Sequence, residues 1–303
     1  MHAALRCPVH GCALRQNEAD ELVCAEGTCR YPIVDGVAVL TDHAPDNAAA
    51  TFYNDPQLLD GYLLQDQPHD RAALSALQSQ IEIDGPTLEI GTGRGALQGI
   101  GGSYVAVDYS LTALRQWIKA VHQRVCASAE RLPFFDNTFR LIFSVACLEH
   151  VPNASAAFDE IDRVLKPGGM AYLAPAWHCV QYNCDGVPVR PYRDLSLRNK
   201  FVKATLPLRR SRIFKAAASV PRRIARRLQW RFSGSHPAQF RFTRLRPDYK
   251  TFWLSDSDAC SRLDSHEACL FFRSRGYQII RPGNGTLRQL LAGHDAVVVQ
   301  KPR

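Results

Sequence analysis

A glycine-rich turn followed by an acidic residue is the clearest place in this sequence for a cofactor to bind. Glu89 precedes the turn, Asp108 ends the next apolar run, and the turn itself contains Gly91, Gly93 and Gly95. Glycines allow a backbone to approach a ligand closely and to present N–H groups to it, while a carboxylate accepts hydrogen bonds from ribose hydroxyls. Because the same spacing also satisfies the dinucleotide fingerprint, the turn alone leaves the identity of the cofactor open.

Four cysteines near the N-terminus have the spacing of metal ligands. Cys7 and Cys12 form one pair, Cys24 and Cys29 form the second, and each pair encloses four residues that include a glycine. Two tight turns of this kind can direct four thiolates at one tetrahedral Zn²⁺ ion, which would stabilise a segment of about 40 residues that buries little core. We therefore expect structural zinc. His10 is an alternative ligand to Cys12, and a reduced β-hairpin without metal is the competing interpretation.

The pattern of apolar runs indicates which elements position the glycine-rich turn. From residue 87 onward, short strand-like runs alternate with helical or loop segments, which is typical of an α/β fold with a doubly wound, mainly parallel sheet. Such a sheet places the ends of its parallel strands, and therefore the turn and Asp108, at one edge. Seven strands are predicted, at residues 87–90, 104–107, 124–126, 141–145, 170–174, 277–280 and 296–300.

The charge of the chain is concentrated in one segment. The net charge is +8 over 303 residues, but residues 190–250 hold 18 Lys and Arg against only Asp194 and Asp248. This segment therefore carries +16 and the rest of the chain −8. A local excess of this size predicts contact with an anionic partner such as a phosphate, RNA or an anionic membrane surface.

One stretch of the basic segment has an amphipathic helical pattern. Arginines occupy other positions around the helix than the apolar residues, and Pro221 is expected to kink or restart it. Three interpretations stay open: a solvated helix that caps the active site, a helix at the membrane surface, and a helix that faces RNA. The apolar residues that share one helical face are Ile213, Ala217, Val220, Ile224 and Leu228.

The distribution of apolar residues also bears on localisation. The sequence contains no run of eighteen or more uncharged apolar residues, and the first residues lack the apolar run of a signal peptide. We therefore expect a cytoplasmic protein without a transmembrane segment, and a peripheral position at the inner membrane surface is the alternative.

Three linked motifs follow the glycine-rich turn. They are Ala-Glu-Arg-Leu-Pro-Phe-Phe-Asp-Asn-Thr-Phe at residues 129–139, Cys-Leu-Glu-His-Val at 147–151 and Leu-Lys-Pro-Gly-Gly-Met at 165–170. Together they resemble the class I S-adenosylmethionine-dependent methyltransferases, in particular the small-molecule type 11 family, over about residues 85–175 and the closing strands. The resemblance implies a methyltransferase enzyme with a Rossmann-like fold and with S-adenosylmethionine as its cofactor.

The same resemblance implies roles for individual residues. The glycine turn would hold the methionine part of the cofactor, Asp108 would accept both ribose hydroxyls, and Glu89 would orient the turn or bond to nearby backbone. The backbone N–H of Ala129 would contact the adenine. Ser128 stands where the family usually has an aspartate that accepts a hydrogen bond from the adenine amino group. Residues 95–104 are expected to form a short first crossover helix.

The resemblance also divides the chain into segments. Residues 1–42 are similar to the short zinc ribbons that precede many bacterial methyltransferases, although those ribbons have two residues between paired cysteines where this chain has four. Residues 43–86 are expected to be a helical connector. The methyltransferase domain would then span 87–303, with the basic insertion at about 176–255.

The acceptor of the methyl group is less well indicated. His150 and His178 follow the predicted fourth and fifth strands, so either could act as a general base, and a purely structural histidine is the alternative for each. We favour a small-molecule acceptor or a glycan- or lipid-linked one. The first alternative is an rRNA or tRNA methyltransferase that binds RNA through the ribbon and the basic insertion. The second is a non-catalytic module that binds a partner protein.

Overall fold

The chain forms two compact units in the computed structural model. The first comprises Met1–Leu148, Ala156–Leu173 and Lys301–Arg303, and the second comprises Glu149–Ser155 and Ala174–Gln300. The structure describes residues 4–41, 47–57, 67–80, 85–119, 123–177, 179–233, 237–251, 253–293 and 295–303.

The first unit begins with four short strands in antiparallel pairs, β1 to β4. These are Leu14–Gln16, Glu21–Cys24, Arg30–Val34 and Val37–Val39. Turns with glycine or aspartate at positive φ connect them, as at Asp35 and Gly36. The last of these strands pairs in parallel with a strand of the central sheet, so the N-terminal segment is continuous with that sheet.

The central sheet of the first unit adds five strands. They are β5 (Pro86–Ile90), β6 (Ser103–Asp108), β7 (Gln123–Cys126), β8 (Phe139–Val145) and β9 (Leu165–Ala174). The strand order β4-β7-β6-β5-β8-β9 has parallel pairs from β4 through β8. Nearly all side chains of β5, β6 and β8 are buried, as expected for strands that are covered on both faces. The predicted α/β fold with a mainly parallel sheet is confirmed.

Four helices belong wholly or mainly to the first unit: α1 (Ala48–Asn54), α2 (Pro68–Gln80), α3 (Leu111–Gln116) and α4 (Ala154–Val164). Ser110 caps α3, because its hydroxyl oxygen accepts a hydrogen bond from the N–H of Ala113 at 3.0 Å. The predicted crossover helix in residues 95–104 is wrong: residues 91–102 form turns. Gly95, Gly99 and Gly101 have φ values of 72°, 83° and 93°, which a right-handed helix excludes.

The second unit is largely helical. Its helices are α5 (Gln181–Cys184), α6 (Leu197–Ala204), α7 (Leu206–Arg210), α8 (Arg212–Ser233), α9 (Ser265–Ser274) and α10 (Thr286–Leu291). Strands β10 (Thr243–Arg244) and β11 (Ser261–Arg262) pair antiparallel, as do β12 (Gln278–Arg281) and β13 (Val297–Gln300). Most of α9 is buried, including Phe271 and Phe272, whose rings meet edge to face with centroids 5.0 Å apart.

The long helix α8 runs without interruption through Pro221, so it is not restarted there. It contains the apolar residues and the arginines of the predicted amphipathic stretch. No helix in the described part of the chain is both long and apolar enough to cross a membrane.

Candidate functional site

The glycine-rich turn leaves the carboxyl end of β5 in a conformation that requires glycine. Gly91, Gly93 and Gly95 have φ values of 78°, 48° and 72°, in the left-handed region that other residues rarely adopt. At Gly91 a side chain is also excluded by packing, because a Cβ atom would lie 2.3 Å from the Sγ of Cys147. The glycines therefore give the turn stretches of backbone that a ligand can approach closely.

Asp108 ends β6 beside this turn and is tied to it. Its Oδ2 accepts a hydrogen bond from the N–H of Gly93 at 2.8 Å, and its Oδ1 accepts one from the N–H of Ser110 at 2.8 Å. Burial raises the pKa of this carboxyl, and the backbone hydrogen bonds oppose that rise. Neighbouring parallel strands place both features at one sheet edge, as predicted, because Ile90 of β5 aligns with Val107 of β6.

Glu89 lies beneath the turn and is 3% exposed. The hydroxyl of Tyr104, on the neighbouring strand β6, donates a hydrogen bond to its carboxylate. Burial, with Asp108 as a further cause, raises the pKa of Glu89 well above its usual range. Tyr104 was not recognised in the sequence, where it is one of several apolar and aromatic residues of a predicted strand.

Ser128 and Ala129 follow β7, the next strand along the sheet. The backbone N–H of Ala127 donates to the carbonyl of Asp108 at 3.0 Å, so this segment lies beside the acidic residue. The Oγ of Ser128 accepts a hydrogen bond from the N–H of Glu130 at 3.2 Å, and Ala129 is buried. The structure thus brings the predicted cofactor residues together at the carboxyl ends of β5, β6 and β7.

The N-terminal cysteines form a second cluster in the first unit. The Nδ1 atom of His10 lies 3.8, 3.4 and 3.6 Å from the Sγ atoms of Cys7, Cys24 and Cys29. The Sγ of Cys12 lies 3.0 Å from the Sγ of Cys24. His10 therefore lies near all three of the other cysteines, and Cys12 lies near Cys7 and Cys24.

The electrostatics of this cluster favour a thiolate at Cys7. Burial raises the pKa of that thiol, but hydrogen bonds with the Tyr31 hydroxyl and from the backbone of His10 outweigh burial and lower the pKa to about 6. A thiolate is the form of cysteine that binds a metal.

His150 belongs to the second unit, where it lies among buried carboxylates. Its Nδ1 is 3.0 Å from Oδ2 of Asp258, and its Nε2 is 3.7 Å from Oε1 of Glu149. Burial alone would lower the pKa of His150, but Asp258, Glu149 and Asp256 together raise it to about 9. This pKa favours the protonated imidazole at neutral pH, with a charge that the neighbouring carboxylates balance.

Backbone contacts hold this cluster in place. The N–H of Ala176 donates to Oε1 of Glu149 at 2.9 Å. The N–H of Cys260 donates to the carbonyl of Glu149 at 2.9 Å, and the hydroxyl of Ser261 donates to the carbonyl of Val151 at 2.7 Å. The predicted role of His150 as a base stays a prediction, and His178 lies outside the described residues.

Sequence comparison finds a family match over the region that contains the glycine-rich turn. Residues 88–173 match the sequence profile of a family described as a methyltransferase domain. The chain therefore contains a methyltransferase domain, so the resemblance to these enzymes is confirmed. The match covers β5, Asp108, Ser128, Ala129 and His150, but not the N-terminal cysteines or the basic segment.

Curated relatives are similar over about a quarter of the chain. Malonyl-[acyl-carrier protein] O-methyltransferase of a Marinomonas species is 36% identical over 93 residues, which cover 27% of this chain and 34% of that protein. Demethylmenaquinone methyltransferase of Corynebacterium urealyticum is 38% identical over 74 residues, covering 24% and 32%. The chain thus spans about a third of the length of these relatives.

A solved structure of a methyltransferase from Bacillus halodurans is similar over a longer region. The match covers 77% of this chain and 99% of the Bacillus halodurans chain, with 13% identity and a TM-score of 0.44.

Proposed function

We propose that this chain is an S-adenosylmethionine-dependent methyltransferase in which the glycine turn and Asp108 bind the cofactor. The hydrogen bond from Gly93 to Oδ2 of Asp108 carries the proposal, because it holds the carboxylate against the glycine-rich turn. Each carboxylate oxygen has a second lone pair with which to accept a ribose hydroxyl. Gly91, Gly93 and Gly95 have no Cβ atoms and positive φ, so the backbone of the turn fits close approach by the methionine part of the cofactor.

Bound S-adenosylmethionine supplies a methyl group that its sulfonium makes electrophilic, so transfer requires chiefly an aligned nucleophile. The residues of the chain then bind and orient. Asp108 fixes the ribose, and the backbone N–H of Ala129 is available to the adenine. Ser128 offers a hydroxyl where an aspartate is usual, which gives a weaker hydrogen bond to the adenine amino group.

We propose a small-molecule, glycan-linked or lipid-linked acceptor. The names of the two curated relatives support this class, since they describe enzymes that act on malonyl-[acyl-carrier protein] and on demethylmenaquinone. An RNA acceptor is the alternative, supported by the basic segment alone. A protonated His150 would orient an acceptor or stabilise its negative charge more readily than it would remove a proton.

Calorimetry with S-adenosylmethionine tests the cofactor proposal. We expect the wild-type chain to bind, and Asp108→Ala to show no measurable binding while its thermal unfolding temperature changes little. Asp295→Ala, which removes an exposed carboxylate, is the matched control and should bind normally. Unchanged affinity in Asp108→Ala would remove the central claim.

We further propose that Zn²⁺ stabilises the N-terminal segment, held by Cys7, Cys24, Cys29 and one of Cys12 or His10. Tetrahedral zinc with Zn–S of about 2.3 Å and Zn–N of about 2.0 Å places sulfur and nitrogen ligands about 3.5 Å apart. The distances from His10 to the three sulfur atoms, 3.4 to 3.8 Å, fit this geometry. A closed four-ligand site of this kind is structural.

Metal analysis of two variants decides the fourth ligand. We expect about one zinc per wild-type chain and a loss of zinc in whichever of Cys12→Ser and His10→Ala removes a ligand. Chelation should lower the unfolding temperature of the wild-type chain. A wild-type chain that is stable and contains no zinc after expression in zinc-supplemented medium would contradict the proposal.

A further inference from the structure

Within the second unit, the long helix α8 packs against α9 through two of its arginines. Arg223 is 4% exposed, and its guanidinium meets the carboxylate of Asp264 at 2.7 and 3.1 Å. Arg226 pairs with Glu267, with its Nε at 3.1 Å from Oε1. Both acidic residues lie at the start of α9, where their negative charge also interacts favourably with the positive end of the helix dipole. The inward face of α8 is therefore largely polar.

The opposite face of α8 is apolar and exposed. Its two ends carry Ile213 and Phe232, which are 83% and 80% exposed, and its middle carries Ile224 and Leu228, at 42% and 48%. Helices on protein surfaces normally direct their apolar stripe toward the core and their charges toward water. In α8 the arrangement is reversed: Arg223 and Arg226 face inward and the apolar residues are exposed. The ion pairs with α9 fix this rotation of the helix about its axis.

Neighbouring helices extend the exposed apolar surface. Helix α7 contacts α8, and α6 contacts α7. Both carry large apolar side chains that are more than half exposed: Leu197, Phe201 and Leu208. These helices therefore add exposed apolar side chains near α8, a feature typical of interaction sites.

The charges around this surface indicate which partner it fits. No acidic residue occurs between Asp194 and Asp248. Exposed cations flank the apolar residues on α8: Lys215, Arg222 and Arg231. An anionic partner with an apolar interior satisfies both features. A second copy of the chain would bring a like charge, and RNA would leave the aliphatic side chains without an apolar environment.

We propose that the outward face of α8, together with Leu197, Phe201 and Leu208, is a docking surface for an anionic lipid bilayer. The helix would lie along the bilayer, with its apolar side chains between the headgroups and its cations near the lipid phosphates. A helix of 22 residues is about 33 Å long, enough for an anchor of several turns. Docking of this kind is independent of whether the first unit binds a cofactor.

Flotation with lipid vesicles tests the apolar part of the surface. The full chain is mixed with vesicles of phosphatidylcholine alone or with a quarter phosphatidylglycerol, and recovery with the vesicles is measured. We expect recovery with the anionic vesicles. The double variant Ile224→Gln/Leu228→Gln, which keeps the charge, should partition about 100-fold less. Leu287→Gln/Leu291→Gln on α10 is the matched control, because both leucines are exposed and have the same spacing.

A second pair of variants tests the electrostatic part. Arg222→Gln/Arg231→Gln should lower partitioning onto anionic vesicles about 30-fold at low salt, with little change on neutral vesicles. Asp108→Ala should float like the wild-type chain, so loss of cofactor binding and loss of docking are separate results.

Three outcomes would overturn the inference. The first is a wild-type chain that stays with neither kind of vesicle. The second is equal loss in the α8 and α10 double variants. The third is binding of a different partner in the absence of vesicle binding. That partner would be a second copy, if the wild-type chain is a dimer that Ile224→Gln/Leu228→Gln dissociates, or RNA, if the chain retains RNA with a steep salt dependence.

Discussion

Asp108, beside the glycine-rich turn of the first unit, and Asp258, in the His150 cluster of the second, are held in different ways. Asp108 accepts hydrogen bonds from backbone N–H groups of Gly93 and Ser110, near the ends of neighbouring strands. Asp258 is instead satisfied by a side chain, the imidazole of His150. The contacts of Asp108 depend on the local backbone conformation, whereas the contact of Asp258 depends on a side chain that is distant in sequence. The predictions below test this difference.

The largest effect is expected where a buried charge loses its side-chain partner. Asp258→Asn should lower the free energy of unfolding by about 3–5 kcal/mol, because the protonated His150 would lose its nearest carboxylate. Urea unfolding at pH 7 measures the change. Asp194→Asn, on the surface of the same unit, should change stability by less than about 0.5 kcal/mol. Equal effects of the two variants would show that the cluster is not an ion-paired site.

The pH dependence of stability reports on the same cluster. The pKa of His150 is raised from 6.5 to about 9 in the folded chain. The stabilisation by protonated His150 is therefore complete below about pH 6.5 and is lost as pH rises through about 9. The free energy of unfolding should change by about 3 kcal/mol over this range. His150→Gln should remove this part of the pH profile. A wild-type profile that matches that of the variant would contradict the raised pKa.

The backbone site is tested by adding a methyl group. Gly91→Ala must adopt a positive φ and bring its Cβ to 2.3 Å from the Sγ of Cys147, so it should cost about 2–4 kcal/mol and abolish cofactor binding. Gly99→Ala also has a positive φ but meets nothing within 4 Å, and should cost only about 1 kcal/mol. If the two variants unfold at the same urea concentration, close packing at Gly91 is not required.

The smallest effect is expected at the support beneath the turn. Tyr104→Phe removes the hydroxyl that donates to Glu89 and should cost about 1–2 kcal/mol, measured by thermal unfolding. Tyr192→Phe, at an exposed position, should be neutral. Cofactor affinity should fall little, because Asp108 keeps its backbone donors; a complete loss of affinity would mean that Glu89 contacts the cofactor.

Much of the first unit could be predicted from local sequence patterns. The five strands predicted in this unit are present, because buried strands of a mainly parallel sheet produce apolar runs that need no tertiary information. The two strands predicted in the second unit are also present, as the antiparallel pair β12 and β13. The crossover helix was wrong, since the glycines that open the cofactor loop continue to Gly101 and favour turns. The pairing of His150 with Asp258 could not be predicted, because nothing local in the Asp256-Ser-Asp258 motif indicates its partner.

The sequence by itself determined the glycine-rich turn, the cysteine spacing and the separation of apolar and basic residues around α8, because each depends on spacing within a short stretch. Only the tertiary structure decided which face of α8 is exposed. Ion pairs with Asp264 and Glu267 hold Arg223 and Arg226 on the inward side of α8, and the apolar face stays exposed. These contacts join residues that are far apart along the chain, so no local pattern reveals them.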